Sequence, residues 1–304
     1  MQKSDNILIT GITSIHGWPI FSAFREKYGE RVYGVAPGIK LPFFKNDKKV
    51  FFCTMDNFFK MKKIFDKVKP EAVVHAAGVC DLDRCEDAPD FTYQVNVLGT
   101  RNIVSLSKES YLLYISTDLV FSGNDPLGRD YSESSLCDPV SVVGKTFLEA
   151  ENEVLQHKMS GVIRLGLPIG PSISGTKGAI DFIAKRLRKK QKMTLFHDEI
   201  RSLITTKDVA KATMHFFDKK GEGIFHCGGP QEYSLYDIGA YLVQERGYQE
   251  EFLIRSSRFD EKNGPPRIGR AVLDSRKFYK FTGFTPSNAL AIRDGSDSPF
   301  TYAN

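Results

Sequence analysis

The sequence predicts an α/β protein. A doubly wound, mostly parallel sheet is expected over residues 1–165. A smaller mixed region, suited to holding a substrate or partner, is expected over 166–304, with part of its chain returning to the sheet. Two observations carry this reading. Short apolar runs alternate with segments of helical period up to residue 165, the pattern of parallel strands joined by crossover helices. The first of those runs ends in a glycine turn that opens onto an amphipathic segment, giving strand, tight turn and helix. The 304 residues suffice for a large core,. No internal repeat or low-complexity linker sets the second part off as a tethered module.

The elements follow in order. Asn6 to Thr10 forms the first strand and runs into Gly11. After the turn come Gly17 and a helix with Ile20, Phe21 and Phe24 on its inner side. A helix N-terminus presents unpaired N–H groups and the positive end of its dipole, so the turn suits a pyrophosphate. Gly11 supplies the turn angles, Gly17 permits close approach, and Thr13, Ser14 and Ile15 line the same turn,. Ser14 stands where such turns usually carry a middle glycine, which narrows the approach of a phosphate. The second strand, 31–37, ends in Ala36 and Pro37. It has neither the acid that suits the ribose hydroxyls of NAD nor the basic residue that suits NADP, although Lys40 could reach round,.

Val50 to Cys53 reads as a strand, and Phe58 to Val68 as a helix ended by Lys69-Pro70,. Ala72 to Gly78 is a buried strand leading into Ala76, Ala77 and Gly78, small residues that leave room for a ligand over the sheet; His75 reads as a packed histidine. Asp81 and Asp83 read as part of a solvated capping segment. A helix over 93–107 carries Asn96. Tyr111 to Asp118 is the fifth strand and ends in Ser116, Thr117 and Asp118, polar groups at the end of a parallel strand where α/β folds place ligands,. An irregular loop (121–139), a helix (140–157) and a strand ending Arg164-Leu165 follow. The second region holds helices over 178–192, 206–218 and 234–246, strands over 223–227 and 271–273, and a short last helix. The basic residues of 185–190 read as a solvated face, or as a lure for a phosphorylated ligand or partner,.

Composition narrows the function. A net charge of +5 is too mild to argue for nucleic acid,. No apolar run has membrane-spanning length, and the first strand begins within six residues, so a cytoplasmic address is expected,. Five scattered cysteines without a Cys-x-x-Cys read as reduced thiols, with no metal site,.

Several short motifs occur together in order: Ile7-Leu8-Ile9-Thr10-Gly11, Val74-His75-Ala76-Ala77, Val95-Asn96-Val97-Leu98-Gly99-Thr100, Ile115-Ser116-Thr117-Asp118-Leu119-Val120-Phe121, Ile163-Arg164-Leu165, Asp198-Glu199-Ile200-Arg201-Ser202 and Pro266-Arg267. Together they resemble the extended short-chain dehydrogenase/reductases over nearly the whole chain. The nearest branch is the dTDP-4-dehydrorhamnose reductase-like one, which also includes a regulatory subunit of methionine adenosyltransferase. The resemblance implies a Rossmann-like fold and NAD or NADP as cofactor. It implies a cofactor set of Gly11, Thr13, Ser14, Ile15, Gly17, Ala76, Ala77, Gly78, Asn96 and Ser116, and a substrate set of Thr117, Asp118, Arg164 and Arg201.

It also implies a tyrosine and a lysine four residues apart, the first giving its proton to the carbonyl as hydride arrives and the second tuning it. In this chain those positions hold Val143 and Phe147, and no tyrosine anywhere has a lysine four residues on. An aspartate that often binds the adenine amine is replaced by Cys53. With Ser14 and the uncharged end of strand two, these changes imply dinucleotide binding that is weakened or absent. No catalytic residue is assigned; Thr117 is the best-placed substitute, with Cys80, Asp81 and Asp118 behind it.

Three readings follow. The first is a pseudoenzyme or regulatory subunit that holds a small nucleotide-type ligand or docks on a partner enzyme or a second copy of itself. The second is an NAD(P)-dependent reductase or epimerase of a nucleotide-linked 4-keto sugar with an unusual proton donor. The third is a structural subunit with no small-molecule ligand.

Overall fold

Apolar side chains on both sides of each short strand call for helices on both faces of the sheet. The computed structural model describes residues 5–37, 44, 46–175 and 178–290; Lys40 lies outside them. The chain runs β1 (Ile7–Thr10), α1 (Gly17–Tyr28), β2 (Val32–Ala36), β3 (Val50–Phe52), α2 (Phe58–Val68) and β4 (Ala72–His75). Three helical pieces follow, α3 (Leu82–Asp87), α4 (Pro89–Tyr93) and α5 (Gly99–Leu106), then β5 (Tyr111–Thr117), α6 (Val142–Leu155) and β6 (Ser160–Leu165). The second region adds β7 (Leu167–Ile169), α7 (Ala179–Arg188), β8 (Met193–Phe196), β9 (Ile200–Thr205), α8 (Thr206–Asp218) and β10 (Gly223–Cys227). It ends with β11 (Glu232–Ser234), α9 (Leu235–Arg246), β12 (Leu253–Ser256), β13 (Arg270–Ala271) and α10 (Arg276–Thr282).

The central sheet has seven strands in the order β3-β2-β1-β4-β5-β6-β10, all parallel. The order reverses between β1 and β4, and that reversal opens a crevice at the carboxyl ends of the strands. Alternation divides the core. Ile7 and Ile9 face a cluster with Phe21 and Phe24 of α1 and Phe216 of α8, while Leu8 faces Met61 and Phe65 of α2 and Phe147 of α6,. The second region thus returns to the sheet through β10 and α8. Its own strands form a mixed sheet around β9 and a β8–β12 pair over a third cluster.

Two features differ from the sequence expectation. The helix predicted over 93–107 begins earlier, at Pro89, and widens into a π turn over Gln94–Leu98 before α5. Asn96 lies on that π turn and is buried. The strands β7, β8, β11 and β12 were not expected, since three or four residues are too few to show a period of two,. The longer β9 alternates too weakly to stand out.

Two buried histidines fix a pH response. Thr100 spends its hydroxyl proton on Asn96 O (2.6 Å), so it accepts from His75 Nε2 (3.0 Å), and His75 Nδ1 accepts from Thr10 (2.7 Å). His226 donates from Nδ1 to Tyr131 O (2.9 Å) and turns Nε2 towards Arg164 (3.4 Å). A second proton on His226 would face the Arg164 guanidinium, and burial lowers the pKa of each ring to about 3. The unfolded chain therefore takes up protons first as pH falls below about 6.5, and the stability these rings contribute is present above that value and lost below it. Urea titrations should show about 2.5 kcal/mol less stability at pH 5.5 than at pH 7 from this pair, with His16, whose pKa burial also lowers, adding about half as much again,. An ordinary pKa for either ring by NMR would contradict the assignment.

Candidate functional site

The turn after β1 is shaped by close approach. Gly11 has a φ of 70°, and a Cβ there would lie 2.4 Å from Ala76 O. A Cβ on Gly17 would lie 2.1 Å from Gly11 O. Side chains at either position would drive β1, β4 and α1 apart. Within the turn, Ser14 Oγ accepts from Gly17 N–H (2.9 Å) and donates to Ala76 O (3.4 Å). His16 Nε2–H donates to the same carbonyl (3.2 Å), and burial lowers the His16 pKa to about 4, so the ring adds no positive charge near neutral pH. The N–H that would greet a phosphate at the start of α1 is thus already held by a hydroxyl. Thr13 and Ile15 are buried, and Ile15 packs against Gly178.

Across the crevice, Asn96 ties the loop after β4 to α6. It accepts from Val79 N–H (2.7 Å) and donates to Val79 O (3.0 Å) and Thr146 Oγ1 (3.0 Å). Phe147, at the position the resemblance gives to lysine, is buried with its ring roughly parallel to that of Tyr114, centroids 6.2 Å apart. A Cβ on Gly78 would lie 2.7 Å from Phe147 Cζ, so the ring lies directly on the glycine. Val143, at the tyrosine position, is wholly buried. Cys53 is also buried, its thiol directed at Thr54 O (3.2 Å) and pushed up in pKa by burial. Among the weaker substitutes named from sequence, Asp81 caps α3 by accepting from Arg84 N–H (2.9 Å), and Cys80 is exposed.

The substrate set separates into two ion-pair systems. Thr117 Oγ1 donates to Asp118 Oδ1 (3.2 Å) and accepts from Leu119 N–H (3.2 Å). Asp118 is fully buried and receives Arg201 through Nε (2.8 Å) and Nη2. Arg201 also faces Glu199 (4.0 Å), and Arg267 faces Glu199 from the other side (3.7 Å). Arg164, expected to offer its charge to a ligand, is instead 2% exposed and forks onto Glu151, with Nη2 to Oε2 at 2.6 Å. Ser116 donates to the same carboxylate, so it and Arg164 meet at Glu151 rather than at a ligand.

Sequence reading missed Glu151 and Glu199, the two carboxylates that neutralise the arginines. Glu151 falls four residues beyond Phe147 and eight beyond Val143, on the same side of α6, and that spacing was the available signal,. Glu199 lies directly before β9, within the Asp198–Ser202 motif that carries the resemblance, which assigns it no role. A separate open cleft of about 890 Å³ is lined in part by Arg129, Asp130, Glu232, Arg270 and Arg276, and shares no residue with the sets above.

The switch-point crevice, the glycine turn beneath α1 and the polar end of β5 define a Rossmann-like protein of the short-chain dehydrogenase/reductase kind,. The chain belongs to the RmlD substrate binding domain family, matched over residues 5–290. It is 25% identical over 287 residues to methionine adenosyltransferase 2 subunit beta of Xenopus laevis, covering 91% of this chain and 82% of that protein. Its fold is similar to a hypothetical dTDP-4-dehydrorhamnose reductase from Sulfolobus tokodaii, with TM-score 0.79, 23% identity, and 98% and 100% of the two chains covered. It is also similar to dTDP-4-dehydrorhamnose reductase from Bacillus anthracis in complex with NADP, with TM-score 0.78, 17% identity, and 93% and 95% covered. Among the described residues no helix is long and apolar enough to cross a membrane.

Proposed function

We propose that this chain is a nucleotide- or nucleotide-sugar-binding protein on a reductase fold, without standard hydride transfer, acting as a regulatory or accessory subunit of a partner enzyme in the cytoplasm. The observation that carries the reading is Phe147. An uncharged ring rests on Gly78 where the resemblance calls for a lysine, and Val143 has no proton to give. A relative bearing the name of a subunit supports docking on a partner. NAD or NADP is a weak ligand in this reading, because Ser14 and Phe147 each fill space or hydrogen-bonding capacity along its path.

Titration with NADH and with NADPH, followed by cofactor fluorescence and calorimetry, tests this. The expected result is binding no tighter than the upper micromolar range, with no cofactor oxidation in the presence of 4-keto sugar nucleotides. Sub-micromolar binding together with turnover that disappears in Gly11→Val would overturn it. That outcome would favour the second reading, a reductase or epimerase of a nucleotide-linked keto sugar. Its support is the Ser116-Thr117-Asp118 end of β5 and the likeness to dTDP-4-dehydrorhamnose reductases.

A further inference from the structure

Glu199 is 2% exposed, yet neither of its carboxylate contacts with arginine is a hydrogen bond. Oε1 lies 4.0 Å from Arg201 Nη1, and Oε2 lies 3.7 Å from Arg267 Nη1. Among the described residues, Glu199 Oε2 and Arg267 Nε are enclosed and have no hydrogen-bond partner. Unpaired buried groups of this kind are rare in folded proteins. These two belong to neighbouring side chains, and one is an acceptor while the other is a donor.

The surrounding cations are already engaged. Arg201 is already held by Asp118 through Nε and Nη2. Glu199 offsets Arg267. Arg258 directs its guanidinium to Arg267 O (3.2 Å) and Asn124 Oδ1 (2.7 Å), while its backbone N–H donates to Asp198 (2.8 Å). A phosphate entering here would meet the carboxylates of Glu199 and Asp118 and would have to compete for arginines whose guanidinium groups already have partners. A group that donates one hydrogen bond and accepts another fits the open atoms, and a hydroxyl is the smallest such group.

We propose that Glu199 and Arg267 form a subsite for a sugar hydroxyl, the uncharged end of a nucleotide-sugar ligand. The proposal rests on the nucleotide-sugar reading above and names the part of the ligand that this end of the crevice recognises. Glu199 Oε2 accepts the hydroxyl proton, and Arg267 Nε donates to the hydroxyl oxygen. Access is through Arg267, whose side chain is 22% exposed and lies over the Phe196 ring, 5.2 Å from its centroid. It is carried by the irregular stretch between β12 and β13. Burial pushes the Glu199 carboxyl up, with Arg201 and Arg267 acting against that rise.

Calorimetric titration with dTDP-glucose and with dTDP, which lacks the hexose, tests the subsite. The full-length chain should prefer dTDP-glucose by roughly tenfold or more, the range of a hydrogen bond to a charged group. Glu199→Leu and Arg267→Met should each remove that preference, and Glu199→Leu should leave dTDP binding undiminished because it unmasks Arg267. Circular dichroism establishes that the variants fold, and the partly exposed Arg267 provides the second test where Glu199→Leu fails to. If dTDP binds but dTDP-glucose gains nothing, the two atoms hold a buried water and the subsite is wrong while the nucleotide reading stands. A preference that persists in the folded variants also overturns it. If neither nucleotide binds, the nucleotide-sugar reading fails and takes the subsite with it.

Discussion

Arg164→Ala should destabilise the protein by about 3–5 kcal/mol, the range for removing one partner of a buried ion pair. The pair is almost solvent-free, with the two side chains 3% and 1% exposed. Arg164 Nε sits 3.0 and 3.1 Å from the two carboxylate oxygens of Glu151, and Nη2 sits 2.6 Å from Oε2. Alanine would leave Glu151 charged and buried, with only Ser116 to hydrogen-bond it, and would strip His226 of the group facing its Nε2. Most of the expected loss comes from that stranded carboxylate, not from the attraction itself. The double variant Arg164→Met, Glu151→Leu should therefore recover much of it, since well-packed apolar pairs often replace buried ion pairs at little cost. Urea denaturation at pH 7 of the natural chain, Arg164→Met, Glu151→Leu and the double variant gives the coupling. A single-variant loss below about 1 kcal/mol, or simple additivity, would show that water reaches the pair and that Arg164 is available to a ligand after all.

The same residue shows what the sequence could and could not convey. The fold was legible because it is written in local patterns: runs such as Ala72-Val73-Val74-His75, a helix such as Phe58–Val68 with five apolar residues in register, and a glycine turn. The glycine positions were legible for a similar reason, since Gly11 and Gly17 answer to the close approach of neighbouring backbone. The charge balance of the site was not. Arg164 and Arg201 look alike as arginines at or near strand ends. Only the packing of α6 against β6 brings Glu151 under the first, and only the placement of β9 beside the end of β5 brings Asp118 to the second. Pairings of that kind join residues 13 and 83 positions apart through the tertiary fold, and no local period records them. Likewise, the replacement of lysine by Phe147 was visible as a substitution, whereas the contact of its ring with Gly78 required coordinates.

Hydride transfer by this chain should be slower than that of a reductase with an intact acid by about 10²–10⁴-fold, the usual contribution of a positioned proton donor. Loss of the tuning cation would widen that gap. The decisive variant is Thr117→Val. Thr117 is the hydroxyl best placed to replace the tyrosine, but its proton points to Asp118 Oδ1 and its oxygen accepts from Leu119 N–H, so it caps the short turn after β5. Among the described residues no lysine is placed beside it, Arg201 is already bound to Asp118, and the Asp118 carboxylate that accepts its proton disfavours a negative charge on its oxygen. Thr117→Val should therefore lower stability by about 1 kcal/mol, the value of a lost cap. It should leave any slow NADPH oxidation with a 4-keto sugar nucleotide unchanged, because water supplies the proton in both proteins. Single-turnover measurements at saturating cofactor separate this from a binding effect. If the natural chain turned over rapidly and Thr117→Val abolished that turnover with cofactor affinity intact, Thr117 would be the acid and Asp118 its proton partner. The arrangement around Phe147 would then be a different way of building a reductase, not the loss of one.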